Sequence, residues 1–387
     1  MDITLFDDLT IRNNLLPLTY TRPVADLRVG TFTIAEKWQR LYQATTHWLT
    51  VPYLQELFTK SSIDYTTYVN GAVLPNPALY EAVNNLKDNE KLVQNDIILA
   101  YKGSQNSDNL TTVNFKKECI IIKTVTDIFT YNGYGIEQDF AWFNDNAIRA
   151  DLANSVTCTQ PDNVFVEEGA IVVQSSINPL TQKVIIRKGS EIMEGTYIRG
   201  AFALGESAQV KMASKIYGAT TIGDACKVGG ELNNVVMHSN SSKAHDGFLG
   251  NAVIGAWCNL GADTNNSNLK NNYEEVKLWN YPSQRFIKTG LQFCGLVMAD
   301  HSKCGINTMF NTGTVVGVSS NIFGAGFVRN YVPDFSWGGP QGLTTYRFND
   351  ALATMQRVFE RRSRVLSTQE IDVLQYIFDQ TAPYRIA

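Results

Sequence analysis

From Ile186 onward an aliphatic residue recurs at every sixth position: Ile186, Ile192, Ile198, Leu204, Val210, Ile216, Ile222 and Val228. A single strand repeats about every second residue and an α-helix about every 3.6, so neither enforces a strict period of six over this length. The period fits a parallel β-helix. Each six-residue unit supplies one short strand and a corner, its aliphatic side chain points inward, and three units close one coil of about 18 residues. Small turn residues fall between the aliphatic ones, as in Ile222-Gly223-Asp224-Ala225. The phase returns at Phe248, Ile254 and Leu260, and again at Met298, Cys304, Phe310, Val316 and Ile322.

Two stretches break the count. Residues 229–247 hold His238 and His245; residues 263–290 hold a polar run followed by Trp279 and Tyr281. Insertions in repeat scaffolds leave the rigid core on one face and build binding surfaces there, so these breaks frame the candidate site.

Residues 1–155 lack the period. Residues 3–6, 48–51, 65–69, 96–100 and 119–123 read as strands, and 33–43, 52–59 and 77–88 as helices, which together imply an α/β sheet. Past residue 345, Leu352, Met355, Val358, Phe359 and Arg362 fall at helical spacing, and Ser367 with Glu370 forms a capping box for a second helix. These helices are expected to cover the open end of the β-helix. The expected domains are 1–155, 156–345 and 346–387.

Composition narrows the function classes. Of 387 residues, 44% are hydrophobic and 18% charged, the balance of a globular chain, and the net charge is −4 with no long basic run. A nucleic-acid partner or an anionic membrane surface is therefore not expected. The start, Met1-Asp2-Ile3-Thr4, lacks signal-peptide order, no apolar stretch is long enough to span a bilayer, and the six cysteines include no CxxC pair. Cytoplasm is the expected compartment.

The segment Arg12-Asn-Asn-Leu-Leu-Pro17-Leu18-Thr19-Tyr-Thr-Arg22-Pro23, followed by Ile34-Ala-Glu36-Lys37, resembles the first motif of sugar nucleotidyltransferases. The resemblance implies that Arg12, Arg22 and Lys37 bind a nucleotide, with Mg²⁺ as a helper, in transfer to a sugar 1-phosphate. In place of the family's Gly-rich phosphate loop stands Phe6-Asp7-Asp8-Leu9-Thr10-Ile11, whose carboxylates repel a triphosphate. Ala72 falls where the family carries a metal-binding aspartate, and Asn70-Gly71 reads as a type I′ hairpin turn. A domain that packs or binds a nucleotide without turnover stays open beside the active one.

The second resemblance is carried by Ser242-Lys243-Ala244-His245-Asp246-Gly247-Phe248-Leu249-Gly250 and by Ile254-Gly255-Ala256-Trp257-Cys258-Asn259-Leu260-Gly261-Ala262. These resemble the acetyltransferase half of the bifunctional N-acetylglucosamine-1-phosphate uridyltransferase/glucosamine-1-phosphate acetyltransferase family, whose β-helix is left-handed. The resemblance implies His245 as the general base that readies an amine for attack on acetyl-CoA, with Lys243, Asn259 and His301 on the substrate and a homotrimer as the assembly. Imidazole is the side-chain class suited to such proton transfer near neutral pH. Phe248 stands where the family has a tyrosine, Asn233 and Asn234 where it has lysines, and Asp263 where it has a glycine, so the acceptor, a sugar phosphate or sugar nucleotide, is left unnamed. His301 is the rival base, His238 a weaker one, and His47 reads as structural. Three functions follow: acyl transfer, nucleotidyl transfer, or a non-catalytic trimeric scaffold that binds a sugar nucleotide.

Overall fold

The aliphatic residues of the six-residue series all lie inside one solenoid, each at most 2% exposed. The computed structural model describes residues 1–60, 64–105 and 109–385. In it the series sorts into three inward columns. One runs Ile177, Ile198, Ile216, Leu232, Leu249; a second Ile186, Leu204, Ile222, Met237, Ile254, Met298, Val316, Val332. The third runs Val172, Ile192, Val210, Val228, Lys243, and resumes at Leu260, Cys304, Ile322. Strand pairing is parallel throughout these columns, as the period requires.

The first break in the count is a shortened coil. Ile192, Val210 and Val228 follow one another at full coils of three hexapeptide units, but Val228 pairs with Lys243, which arrives half a unit early. Strand Glu231–Met237 pairs in register with Phe248–Ile254, so the ladder passes through unbroken. The slip also corrects the phase: Leu249 takes the inward place and Phe248 faces outward. The second break is an insertion. Leu260 pairs with Cys304, and the long intervening chain extrudes an antiparallel hairpin, Lys277–Asn280 with Arg285–Lys288.

Contacts divide the chain into two compact units, residues 1–28 with 32–124, and residues 29–31 with 125–387. The first unit holds β1 (Asp2–Phe6), α1 (Leu9–Asn14), α2 (Ile34–Tyr42), β2 (Thr45–Leu49), α3 (Pro52–Gln55), β3 (Thr66–Asn70), α4 (Pro77–Asn84), β4 (Glu90–Gln94), β5 (Ile97–Gly103) and β6 (Thr111–Asn114). Its sheet runs β2-β1-β3-β5-β4-β6, with β1 parallel to both β2 and β3 and β5 antiparallel to β3 and β4. This is the α/β architecture expected, with three corrections. Strands β4 and β6 were not read from the sequence. Residues 119–123 form no strand, only a bridge from Ile121 to Val73. Asn70-Gly71 makes no hairpin, because the Asn70 side chain accepts from the Ala72 N–H at 3.0 Å and donates to the Ile98 carbonyl, which sends the chain on towards α4.

In the second unit, α5 (Val125–Thr130) and α6 (Asn132–Asn146) precede the solenoid and pack on it. Asn132, wholly buried, donates to the Ala219 carbonyl and accepts from the Gly30 N–H and the Thr221 hydroxyl. After the last coil come α7 (Phe348–Glu360) and α8 (Thr368–Gln380), the latter with the expected Ser367–Glu370 capping box.

Helix α7 does not close the solenoid end as expected; it lies along its side. Ala225, Asn240, Trp257, His301, Ser319 and Phe335 hold the same left-handed corner in successive coils, with φ between 53° and 64°. That seam is aromatic, and α7 packs along it. Phe348 meets Phe335 at 6.0 Å, Phe359 meets Trp257 at 4.3 Å, and just beyond the helix Arg362 donates to the Ala225 carbonyl. The final strand, Ser336–Gly339, is covered by an antiparallel neighbour, Gly342–Thr345.

An inward position should be costly to truncate. Ile222→Ala is expected to lower the unfolding free energy of the solenoid unit by about 2–5 kcal/mol in urea titrations, through lost burial and the cavity left behind. Tyr197→Ala, at an exposed place on the same unit, should stay within about 0.5 kcal/mol.

Candidate functional site

Of the four histidines only His245 is exposed; His238 is buried, while His47 and His301 are half-buried. His245 sits on the corner between strands Ser242–Lys243 and Phe248–Ile254. The corner is held tightly from both sides. A Cβ on Gly229 in the preceding coil would lie 2.5 Å from the Ala244 carbonyl oxygen. Gly247 has φ +114°, and a Cβ there would meet the Thr264 carbonyl oxygen at 2.3 Å. Two exposed carboxylates belong to this corner: Asp246 follows His245 in the chain, and Asp263 of the next coil donates its N–H to the Asp246 carbonyl at 3.1 Å. The outward Phe248 pairs across the ladder with Glu231, which accepts from the Tyr217 hydroxyl at 2.6 Å.

Lys243, expected as a substrate contact, instead faces the solenoid interior and is 1% exposed. It occupies a place that neighbouring coils give to Val228 and Leu260. Its ammonium donates to the carbonyls of Gly229 (3.0 Å), His245 (2.5 Å) and Asp246 (3.1 Å). An ammonium has three N–H bonds, and all three go to main-chain oxygens at this corner. Burial pulls its pKa down to about 8, against the opposing pull of the Asp246 and Asp263 carboxylates. Lys243 therefore braces the backbone under His245.

The other two expected substrate contacts lie elsewhere on the solenoid. Asn259 projects outward in a row with Ser242 and Lys303. His301 holds a corner of the aromatic seam, its ring parallel to Trp257 at 6.5 Å and 5.9 Å from Phe359, under α7. That placement suits packing. His238 is enclosed, and His47 pairs with Asp2 at 3.2 Å.

The nucleotide contacts expected in the first unit are largely engaged within it. Asp8 caps α1, its carboxylate accepting from the N–H groups of Thr10 and Ile11 at 2.9 and 3.0 Å. Those are amides of the segment that replaces the phosphate loop. Arg12 is buried and donates to the Thr19 carbonyl and the Tyr53 hydroxyl, with Asp7 at 3.3 Å. Asp7 also accepts from the Val24 N–H and the Thr50 hydroxyl, and burial raises its pKa. Its oxygens brace the fold and do not fit a metal ligand. Lys37 is fully buried on α2. Arg22 is half-buried, its charge opposing the burial that lifts Asp26 to about 6. Arg12 and Lys37 thus do not face an open triphosphate cradle, contrary to expectation, because a buried arginine–aspartate brace replaces the glycine loop. Among the described residues no group of three or more His, Cys, Asp or Glu side chains is arranged to hold a metal ion. Nor is any described helix long and apolar enough to cross a membrane.

Sequence reasoning missed a basic cleft. Lys227, Lys303, Arg361 and Arg362 line a cavity of about 580 Å³ that includes Ser242 and Asn259. Lys227, Ser242, Asn259 and Lys303 are unevenly spaced along the chain and carry no period, so only the register reveals the row.

Residues 3–148 match the family described as sugar nucleotidyl transferase. The bifunctional sugar-1-phosphate nucleotidylyltransferase/acetyltransferase of Sulfurisphaera tokodaii is 28% identical over 173 residues, 44% of this chain and 42% of that protein. The bifunctional protein GlmU of Synechococcus elongatus is 23% identical over 263 residues, 58% of this chain and 54% of that protein. GlmU of Bartonella quintana is 23% identical over 265 residues, 66% and 52% of the two chains. The chain thus spans about half the length of these relatives.

The Lys243 brace has a pH signature. Its folded pKa of about 8 lies below the ordinary 10.5, so between these values the unfolded chain holds a proton that the native one has lost. Native stability from this group therefore rises with pH across that window, and the cost of the buried charge is fully present below it. Urea unfolding of wild type and Lys243→Met should show the difference between them shifting by about 2 kcal/mol from pH 8 to pH 10.5 in favour of wild type. A parallel pair of curves would rule out the lowered Lys243 pKa.

Proposed function

We propose that this chain, a divergent relative of the bifunctional sugar-1-phosphate nucleotidylyltransferase/acetyltransferases, is an acyl-CoA-dependent transferase acting on an amine-bearing sugar phosphate or sugar nucleotide. The observation that carries this reading is His245, an exposed imidazole on a corner whose backbone is locked by Lys243. In this reading His245 takes a proton from the acceptor amine. The amine nitrogen attacks the thioester carbonyl, the C–S bond breaks, and the imidazolium returns the proton to the departing CoA thiolate. The exposed Asp246 and Asp263 carboxylates make this corner locally negative. They disfavour a phosphate next to the imidazole, so the acceptor's phosphate lies away from this corner. Acetyl-CoA is the donor proposed, by the likeness to the acetyltransferase relatives.

The reading includes a cytoplasmic location and a threefold homotrimer. Support for assembly comes from exposed apolar side chains on the later coils, Ile306, Phe323 and Phe327. Light scattering should return the mass of three chains.

Thiol release from acetyl-CoA across a set of amino-sugar phosphates and amino-sugar nucleotides tests the chemistry. His245→Ala and His245→Gln are expected to lower kcat/KM at least about 100-fold, the usual scale for losing a general base. Unchanged turnover in either variant sinks the assignment.

A second reading, nucleotidyl transfer to a sugar 1-phosphate with Mg²⁺, is favoured by the match of residues 3–148. It asks Arg12, Arg22 and Lys37 to meet a triphosphate, which for Arg12 and Lys37 means leaving the buried places they hold. Its signature is pyrophosphate release that survives His245→Ala. No release with any common nucleoside triphosphate and sugar 1-phosphate would eliminate it.

A further inference from the structure

The row of outward residues that begins at Lys227 is basic. Lys227, Ser242, Asn259 and Lys303 project from four successive coils, and Arg361 and Arg362, just past α7, join them in lining a half-open cleft of about 580 Å³. Four cations and no carboxylate are among the residues that line the cleft. Two of the cations are anchored: Arg362 donates to the Ala225 carbonyl at 3.2 Å, and Lys303 to the His301 carbonyl at 3.0 Å. Burial also drives the Lys303 pKa down, a desolvation cost that an anion bound beside it would offset.

Four like charges around one cavity repel each other unless an anion sits between them. The chemistry of the lining selects that anion. Guanidinium forks match phosphate oxygens two at a time, ammonium groups supply point charge, and the Ser242 hydroxyl and Asn259 amide add neutral donors. One phosphate does not need four cations, whereas two linked phosphates present enough charge and oxygen atoms for all of them. The volume falls within the range of about 300–1,000 Å³ typical of small-molecule sites.

We propose that this cleft, built by the solenoid face and the chain beyond α7, binds a phosphoanhydride. The site stands on its own geometry and does not need His245 to be a base. Two kinds of ligand carry that group, a nucleoside diphosphate sugar and a coenzyme A.

Titration calorimetry on the full chain at low salt, with inorganic pyrophosphate, coenzyme A and a uridine diphosphate sugar as separate probes, tests it. Pyrophosphate should bind once per chain, more weakly as salt rises, and the nucleotide that binds more tightly than pyrophosphate names the natural source. Arg361→Gln and Lys227→Gln, both exposed and outside the core, should each weaken pyrophosphate binding several-fold, and Arg361→Gln/Arg362→Gln at least tenfold. Lys215→Gln, an exposed lysine on another face, should bind as wild type, and so should His245→Ala, which separates this site from the catalytic reading. Failure of pyrophosphate to saturate the protein at millimolar concentration overturns the proposal. Equal affinity in wild type and the folded Arg361→Gln/Arg362→Gln protein, checked by circular dichroism, does so as well.

Discussion

The parallel backbone ladder is the constraint from which the rest of the second unit follows. Each coil pairs with the next through main-chain hydrogen bonds, so a residue's position within its coil decides which row it joins. Inward rows become the apolar core. Outward rows become surface stripes made of residues far apart in sequence. Lys227 and Lys303 share a face only because pairing passes through Ser242 and Asn259 between them. Corner rows likewise gather Trp257, His301 and Phe335 into one seam.

Two of the buried polar side chains lie on the coil that carries the His245 corner and on the coil after it. Lys243 is one. The other is Asn266, which accepts from the Gly250 N–H at 2.8 Å and donates to the Gly250 carbonyl at 3.0 Å. A buried polar group is costly unless its partners are present, and here the partners are main-chain atoms of the coils around the corner. The interior thus gives up apolar contact where the exterior carries a candidate reactive group. Rigid support beneath a reactive side chain is what positioning demands.

The solenoid was readable because a period of six has one simple structural solution. What misled was the assumption of constant coil length. A coil short by half a unit looks like an interruption to a count of six, although Glu231–Met237 pairs without a gap. Lys243 was misread for a related reason: a lysine next to a histidine suggests a substrate contact, and only the register shows that it replaces a valine in the core. The motif around His245 could be found because its residues are consecutive. The basic cleft could not, since it joins separate coils to a segment beyond the end of the solenoid. In the first unit, short strands were found where β-branched and aromatic residues cluster, as in β3, and missed in β4, whose Glu-Lys-Leu-Val-Gln carries little such signal. The Asp7–Arg12 pair was invisible as a brace because burial, which decides whether such a pair binds a ligand or holds the fold, is not written in the residues themselves.

Repeat arrays held together only by neighbour-to-neighbour pairing tend to fray from their ends, one coil at a time. The packing of α7 changes that behaviour. Because one rigid rod touches the seam from Phe335 back to Trp257, and the chain just beyond it reaches Ala225, the final coils cannot peel away singly without first releasing the whole rod. The helix acts as a splint, turning a chain of locally stable steps into a block that opens together.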